Sequence, residues 1–194
     1  MESISCDSAP AATRSFSQKL VKSTERTSTI TRHYVIWSTR VALIDQDWLI
    51  QHTAAYREHP QRAHDWDSSP VGGTGIVPTL LLTTIGAHSG LPRSVPLLYQ
   101  PCGEGYVVAG SRGGSRRHPA WFLNLRATPA CTALVGRLSC TLSARELEGD
   151  ERARYWQLLT RCWPAYETYQ ARTTRQIPVV LLAHCAPPTL IEQT

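Results

Sequence analysis

The residues best suited to chemistry lie at a glycine-rich corner, Ser111-Arg112-Gly113-Gly114. Glycine lets a backbone approach a ligand closely, and an arginine offers a fork of N–H donors to a phosphate. Arg116 and Arg117 add positive charge to the same segment. A corner of this kind is typical of a site that presents backbone N–H groups to an anion. A hairpin end with solvated arginines has the same composition, so the tetrapeptide alone leaves both interpretations open.

A second group of candidates is aromatic and comprises Trp163, Tyr166 and Tyr169. The two tyrosines are three positions apart, so they share one face of a short helix predicted over 165–172. Phenol groups can donate a hydrogen bond to a carbonyl or nitro oxygen, and the rings can line a flat pocket. An aromatic cap over the end of a barrel is the alternative. Cys162 lies beside them without an adjacent base, so we do not interpret it as a nucleophile.

Short strands are expected to position these residues. Apolar, β-branched runs bounded by turn residues predict strands over 79–85, 94–100, 106–111, 130–138, 139–147 and 177–183. Helices are predicted over 118–125 and 151–161, with Asp150 as an N-cap. Because five or six strands show no regular βαβ alternation, we expect a mainly β (α+β) barrel rather than a Rossmann sheet. The sequence contains neither a G-x-G-x-x-G nor a Walker motif.

The N-terminal region has a different composition. Residues 1–33 are rich in Ser and Thr, which predicts a disordered tail, with an organellar transit peptide as the alternative. Over 34–75 we expect a helix followed by a linker at 57–75. The helix would place Trp37 and Trp48 on one face, either packed on the barrel or touching a membrane surface.

Composition narrows the classes of ligand and the cellular location that are expected for this chain. The chain has 194 residues, 42% of them hydrophobic, and a net charge of +5, which favours anionic ligands. Six cysteines without a C-x-x-C pair indicate reduced thiols in a cytoplasmic protein. The spacing of the histidines does not predict a metal site. We expect a small lipophilic substrate and no nucleic acid, with peripheral membrane contact through the N-terminal helix as the alternative localisation. The oligomeric state stays open.

Four segments in order resemble the deazaflavin-dependent nitroreductase family: LLLTTIGAHSGLPRSVPLLY, VVAGSRGGSRRHPAWFLNLRATP, ERARYWQLLTRCWPAYETYQ and IPVVLL. The resemblance covers residues 76–185. It implies a split β-barrel of the FMN-binding flavin reductase-like type. It also implies an oxidoreductase that uses coenzyme F-420, a deazaflavin hydride donor, to reduce quinones, nitroaromatics or enones. The remaining segment, 186–194, would be a C-terminal tail.

The resemblance also implies roles for single residues. Those matching cofactor-binding positions are Arg93, Ser111, Arg112, Gly113, Gly114, Trp121 and Asn124. Tyr166 and Tyr169 match tyrosines on the substrate side, and Trp163 stands where the family has a tyrosine. On this basis Tyr166 and Tyr169 are candidates for the catalytic proton donor.

The chain departs from the family at one turn. The family has Gly-Arg-Lys-Ser-Gly, whereas this chain has Gly86-Ala87-His88-Ser89-Gly90. Losing a charge-assisted phosphate contact typically costs about 1.5–3 kcal/mol. The alternatives are therefore another flavin, or no cofactor at all. In the latter case the pocket would serve an isomerase or cyclase of secondary metabolism, with His88 as a catalytic proton carrier, or a non-catalytic binder.

Overall fold

The computed structural model describes residues 47–71, 73 and 75–192. The predicted tail over 1–33 and Trp37 lie outside the described residues. The helices are α1 at 47–58, α2 at Pro60–His64, α3 at Ala120–Ala127, α4 at Gly149–Cys162 and α5 at Ala165–Ala171. The strands are β1 at Asp65–Asp67, β2 at Ile76–Ile85, β3 at Pro92–Cys102, β4 at Gly105–Ala109, β5 at Ala130–Val135, β6 at Leu138–Glu146, β7 at Val179–His184 and β8 at Thr189–Leu190. Short 3₁₀ turns occupy Ser69–Val71 and Arg112–Gly114.

Six antiparallel strands close into a barrel in the order β2, β3, β4, β7, β6, β5. The sheet closes because β2 pairs on one side with β3 and on the other with β5, where Leu82 faces Ala133. β1 pairs with the first residues of β2, and β8 pairs with β6. The predicted α+β split barrel is therefore confirmed.

The alternation of side chains along β4 shows how the sequence builds two hydrophobic layers. Tyr106 and Val108 point into the barrel interior, whereas Val107 and Ala109 point outward beneath α4 and α5. Because β4 is buried on both faces, its sequence is continuously apolar rather than alternating with polar residues.

α3 closes one end of the barrel. Its Trp121, Phe122 and Leu125 join the interior cluster, so these three large apolar side chains anchor the helix. This anchoring fixes the loop before α3 and the turn that contacts it.

The region predicted as a linker over 57–75 is the main error in secondary structure. It contains α2, which Pro60 starts, and the polar strand β1. The N-cap of α4 is Glu148 rather than Asp150. β8 lies in the segment predicted as a C-terminal tail. Within the described residues, no helix combines the length and apolarity needed to cross a membrane.

Candidate functional site

A cavity of about 460 Å³ opens where the β2–β3 turn meets α3. The turn contributes the Gly86–Ser89 segment, β3 contributes Arg93 through Val95, and the helix contributes Ala120, Trp121 and Asn124. None of these lining residues is acidic, and they include Arg93. The cavity therefore suits an anionic ligand with a flat apolar part that can lie against Trp121.

A buried amide determines the position of the β2–β3 turn. Asn124 accepts a hydrogen bond from the backbone N–H of Ala87 at 3.0 Å and donates one to the Thr84 hydroxyl at 3.0 Å. Thr84 in turn donates to the Arg93 carbonyl at 3.5 Å. Because Asn124 and Thr84 are 8% and 1% exposed, water cannot readily replace these bonds. Asn124 thus ties three parts of the cavity wall together.

The glycine-rich corner follows β4 and has an unusual backbone. Ser111 is in the right-handed helical region, Arg112 has φ 46°, and Gly113 has φ 61° and ψ 20°. In the described part of the chain, Arg112 is the one non-glycine residue with positive φ. Right-handed followed by left-handed residues turn successive N–H groups toward one side, which makes a concave anion-binding "nest". The Arg112 guanidinium donates to the His118 carbonyl at 3.3 Å, so the corner lies beside the segment leading into α3.

Gly114, a predicted cofactor-binding residue, lies against α5 in the structure. With φ +81°, an added Cβ would lie 2.6 Å from the backbone oxygen of Tyr169. The close approach that this glycine permits in the structure is therefore to α5. Gly114 thus lets the corner dock on α5, the helix that carries Tyr166 and Tyr169.

The aromatic candidates lie on α5 or directly before it, and they do not line the cavity described above. Tyr166 is 5% exposed and packs among Trp156 and Tyr169 in the outer hydrophobic cluster. Burial raises the pKa of the Tyr166 phenol above its ordinary range, so the group stays protonated. Trp163 and Tyr169 are half-buried, which leaves part of each ring accessible.

The structure adds two tryptophans to this aromatic group. Trp66 of β1 lies 6.1 Å from Trp163, and Trp48 of α1 lies 4.9 Å from Trp66, both between ring centroids. The Trp48 indole N–H is buried without a hydrogen-bond partner in the described part of the chain. Sequence reasoning placed Trp48 on an aromatic helix face but missed Trp66, because a three-residue polar strand gives no periodic signal.

Two histidines on α1 and α2 contact hydroxyl groups of the barrel strands. His52 of α1 is 6% exposed and pairs with the Thr79 hydroxyl at 3.0 Å, and burial lowers its pKa. His64 contacts the Tyr99 hydroxyl at 3.0 Å, and burial raises the pKa of Tyr99 to about 12. These pairs anchor α1 and α2 on the barrel. In the described residues, no group of three His, Cys, Asp or Glu side chains is placed to hold a metal ion.

Comparison with known proteins gives consistent matches. The family model described as F420H(2)-dependent quinone reductase matches residues 55–184. A curated F420H(2)-dependent quinone reductase of Mycobacterium tuberculosis is 39% identical over 111 residues, covering 56% of this chain and 74% of that protein. Among solved structures, an F420-H2 dependent reductase (FDR-A) is 40% identical with a TM-score of 0.51, covering 54% of this chain and 93% of that chain. A chain solved as a domain-swapped dimer is 33% identical with a TM-score of 0.53, covering 71% of this chain and 98% of that chain. Since the family model spans both the barrel and the helices that flank the cavity, this chain belongs to the F420H(2)-dependent quinone reductase family.

Proposed function

We propose that this protein is a reductase that uses reduced coenzyme F-420 and passes a hydride to a flat lipophilic acceptor, with quinones as the first candidate class. The observation that carries the proposal is the nest at Ser111–Gly113. It lies beside the segment that leads into α3, and α3 and Arg93 line the cavity. Both features offer positive potential to an anionic, planar cofactor. The hydride chemistry itself is what the cofactor supplies when it is bound.

The residues present fit such a cofactor. The N–H groups of the nest and the guanidinium of Arg112 would donate hydrogen bonds to an anionic group or a carbonyl oxygen on one side of the segment 110–120. Arg93 would hold a second anionic group at the cavity, which Trp121 also lines. Asn124 would act through the turn that it fixes, in addition to any direct contact. All the predicted cofactor-binding residues keep a role in this proposal. Gly114 would act indirectly, by letting the corner dock on α5.

The acceptor would lie near the aromatic group. Trp163 and Tyr169 are accessible in part, and Trp66 and Trp48 extend the same surface. A flat apolar molecule gains most from stacking on such rings. Because Tyr166 is buried beneath Tyr169, we assign it the role of supporting the Tyr169 ring, and we propose Tyr169 as the phenol that faces the acceptor oxygen. His88 lines the cavity at the turn, on the cofactor side of this arrangement.

The test uses the purified full chain, first stripped of small molecules. Titration with oxidised coenzyme F-420, followed by its fluorescence, should give saturable binding, and the reduced cofactor should be consumed when a naphthoquinone is added. Arg112→Ala should weaken binding about 10–100-fold. Arg126→Ala, an exposed arginine at the far end of α3, serves as the control and should bind like the wild type.

Two outcomes would contradict the proposal. Absence of cofactor binding by the wild type would leave the reductase without its hydride donor. Full turnover of an added substrate by stripped protein would instead favour the cofactor-independent isomerase or cyclase, in which His88 would face the reactant.

A further inference from the structure

Arg175 lies directly behind the glycine-rich corner and holds it at both ends. Its Nε donates to the Ser115 carbonyl at 2.8 Å. Its Nη2 donates to the Gly110 carbonyl at 3.0 Å and to the Ser111 carbonyl at 2.8 Å. One planar guanidinium therefore spans the whole corner, from the residue after β4 to the residue after the 3₁₀ turn.

These three bonds hold the peptide groups of the corner in one orientation, together with the bond that the Gly114 N–H donates to the Ser111 carbonyl at 3.0 Å. In a planar trans peptide, the C=O and the following N–H point in opposite directions. The carbonyls of Gly110 and Ser111 face Arg175, so the N–H groups of Ser111 and Arg112 face away from it. In the described part of the chain, neither of these N–H groups has an acceptor. They are the first two donors of the nest.

The surroundings of the Arg175 guanidinium reduce the contribution of this side chain to the stability of the folded chain. Burial and the neighbouring Arg112 charge both lower the pKa of the guanidinium. Its Nη1 is buried without a hydrogen-bond partner in the described residues, and an unpaired buried donor is unfavourable. Packing alone does not require a charged side chain at this position, where the charge of Arg112 is unfavourable.

We propose that Arg175 is a positioning residue of the cofactor site: by binding the carbonyls of residues 110, 111 and 115, it aims the N–H groups of Ser111 and Arg112 at the anionic or carbonyl group of the ligand. This inference rests on the proposed function for the identity of the ligand. The orientation of the two N–H groups does not depend on it.

Arg152 offers a matched control. It is also an arginine with a lowered pKa and a buried, unpartnered Nε, and its Nη2 donates to a backbone carbonyl, that of Ile177, at 2.8 Å. It contacts the chain next to β7 but makes no bond to the corner. Arg152→Met therefore reproduces the loss of a buried arginine without releasing the nest.

The experiment compares Arg175→Met, Arg175→Lys and Arg152→Met with the wild type. Arg175→Met should raise the Kd for oxidised coenzyme F-420 at least tenfold, whereas Arg152→Met should stay within about twofold at a comparable loss of thermal stability. Arg175→Lys keeps the charge but cannot span three carbonyls, so it should bind with intermediate affinity. If Arg175→Met does not fold, the lysine variant carries the test.

A second readout needs no cofactor. In ligand-free protein, the amide NMR signals of Ser111 and Arg112 should shift in the Arg175 variants and stay in place in Arg152→Met. Unchanged amide signals, or wild-type affinity in the Arg175 variants, would overturn the positioning role. If the wild type itself fails to bind coenzyme F-420, the proposed function fails, while the amide signals still decide whether Arg175 orients the corner.

Discussion

Replacing Asn124 should release the β2–β3 turn from α3 and lower the free energy of unfolding. Asn124→Leu keeps a similar volume but removes both side-chain hydrogen bonds. The Thr84 hydroxyl is buried and keeps only its 3.5 Å contact with the Arg93 carbonyl, whereas the Ala87 N–H lies in an exposed turn and can reach water. An unpaired buried group costs about 1–3 kcal/mol, so the loss of unfolding free energy should be about 2 kcal/mol and should come mainly from Thr84.

Denaturant unfolding measures this change, and the matched control is Thr83→Val. Thr83 shares a hydrogen bond with Ser94 at 2.9 Å, but the pair is exposed, so its removal should change the free energy of unfolding by less than about 0.5 kcal/mol. Cofactor affinity measured on the folded Asn124→Leu protein should fall at least tenfold, because the turn and Arg93 would no longer be held against α3.

Stability and affinity measured together distinguish a structural role of Asn124 from direct contact with the cofactor. An unchanged free energy of unfolding together with lost affinity would show that Asn124 contacts the cofactor directly and does not hold the turn. An unchanged affinity together with lost stability would show that the turn does not shape the binding site.

Three further predictions test other parts of the structure. Gly114→Ala should cost more than about 2 kcal/mol, since its Cβ would meet a backbone carbonyl of α5, whereas Gly90→Ala, with φ +67° and open space, should cost about 1–2 kcal/mol; equal losses in denaturant unfolding would contradict the docking role. Ala87→Arg/His88→Lys should tighten coenzyme F-420 binding by about tenfold or more and keep quinone reduction, and no gain in affinity would show that this turn does not face an anion. Because burial lowers the pKa of His52 from 6.5, its protonation favours the unfolded chain, so the stability that neutral His52 contributes is present above about pH 6.5 and is lost as pH falls below it. His52→Asn should be less stable at pH 8 and should lose less between pH 7 and 5, as thermal melts at several pH values would reveal.

The strands and turns of the barrel were predictable because their signals are local. Glycine and proline bound most of the apolar runs, and the turn at 86–90 appears where the sequence indicated, whereas the hairpin turn at 136–137 falls inside the strand predicted over 130–138. By contrast, α2 and β1 are too short to show a period. The sequence also could not show that they pack through His64 on Tyr99, a residue far along the chain.

The candidate site was predictable as a set of residues but not as an arrangement. Asn124 was expected to touch the cofactor, yet its two bonds reach residues 37 and 40 positions away. Spacing placed Tyr166 and Tyr169 on one helix face, but it could not decide which of them the neighbouring Trp156 covers. Burial of a particular ring depends on the tertiary packing of α4, which no local pattern records.

The backbone of the turn at 86–90 does not depend on the side chains of residues 87 and 88. Its backbone is set by the bond from Gly90 to Gly86 at 2.8 Å, by the positive φ of Gly90, and by Asn124. The side chains of Ala87 and His88 are exposed and take no part in these bonds. A change of these two side chains would therefore alter the charge at the cavity and leave in place the bonds that hold the backbone of the turn. This separation of shape from charge is why restoring the two cations is expected to strengthen binding without disturbing the fold.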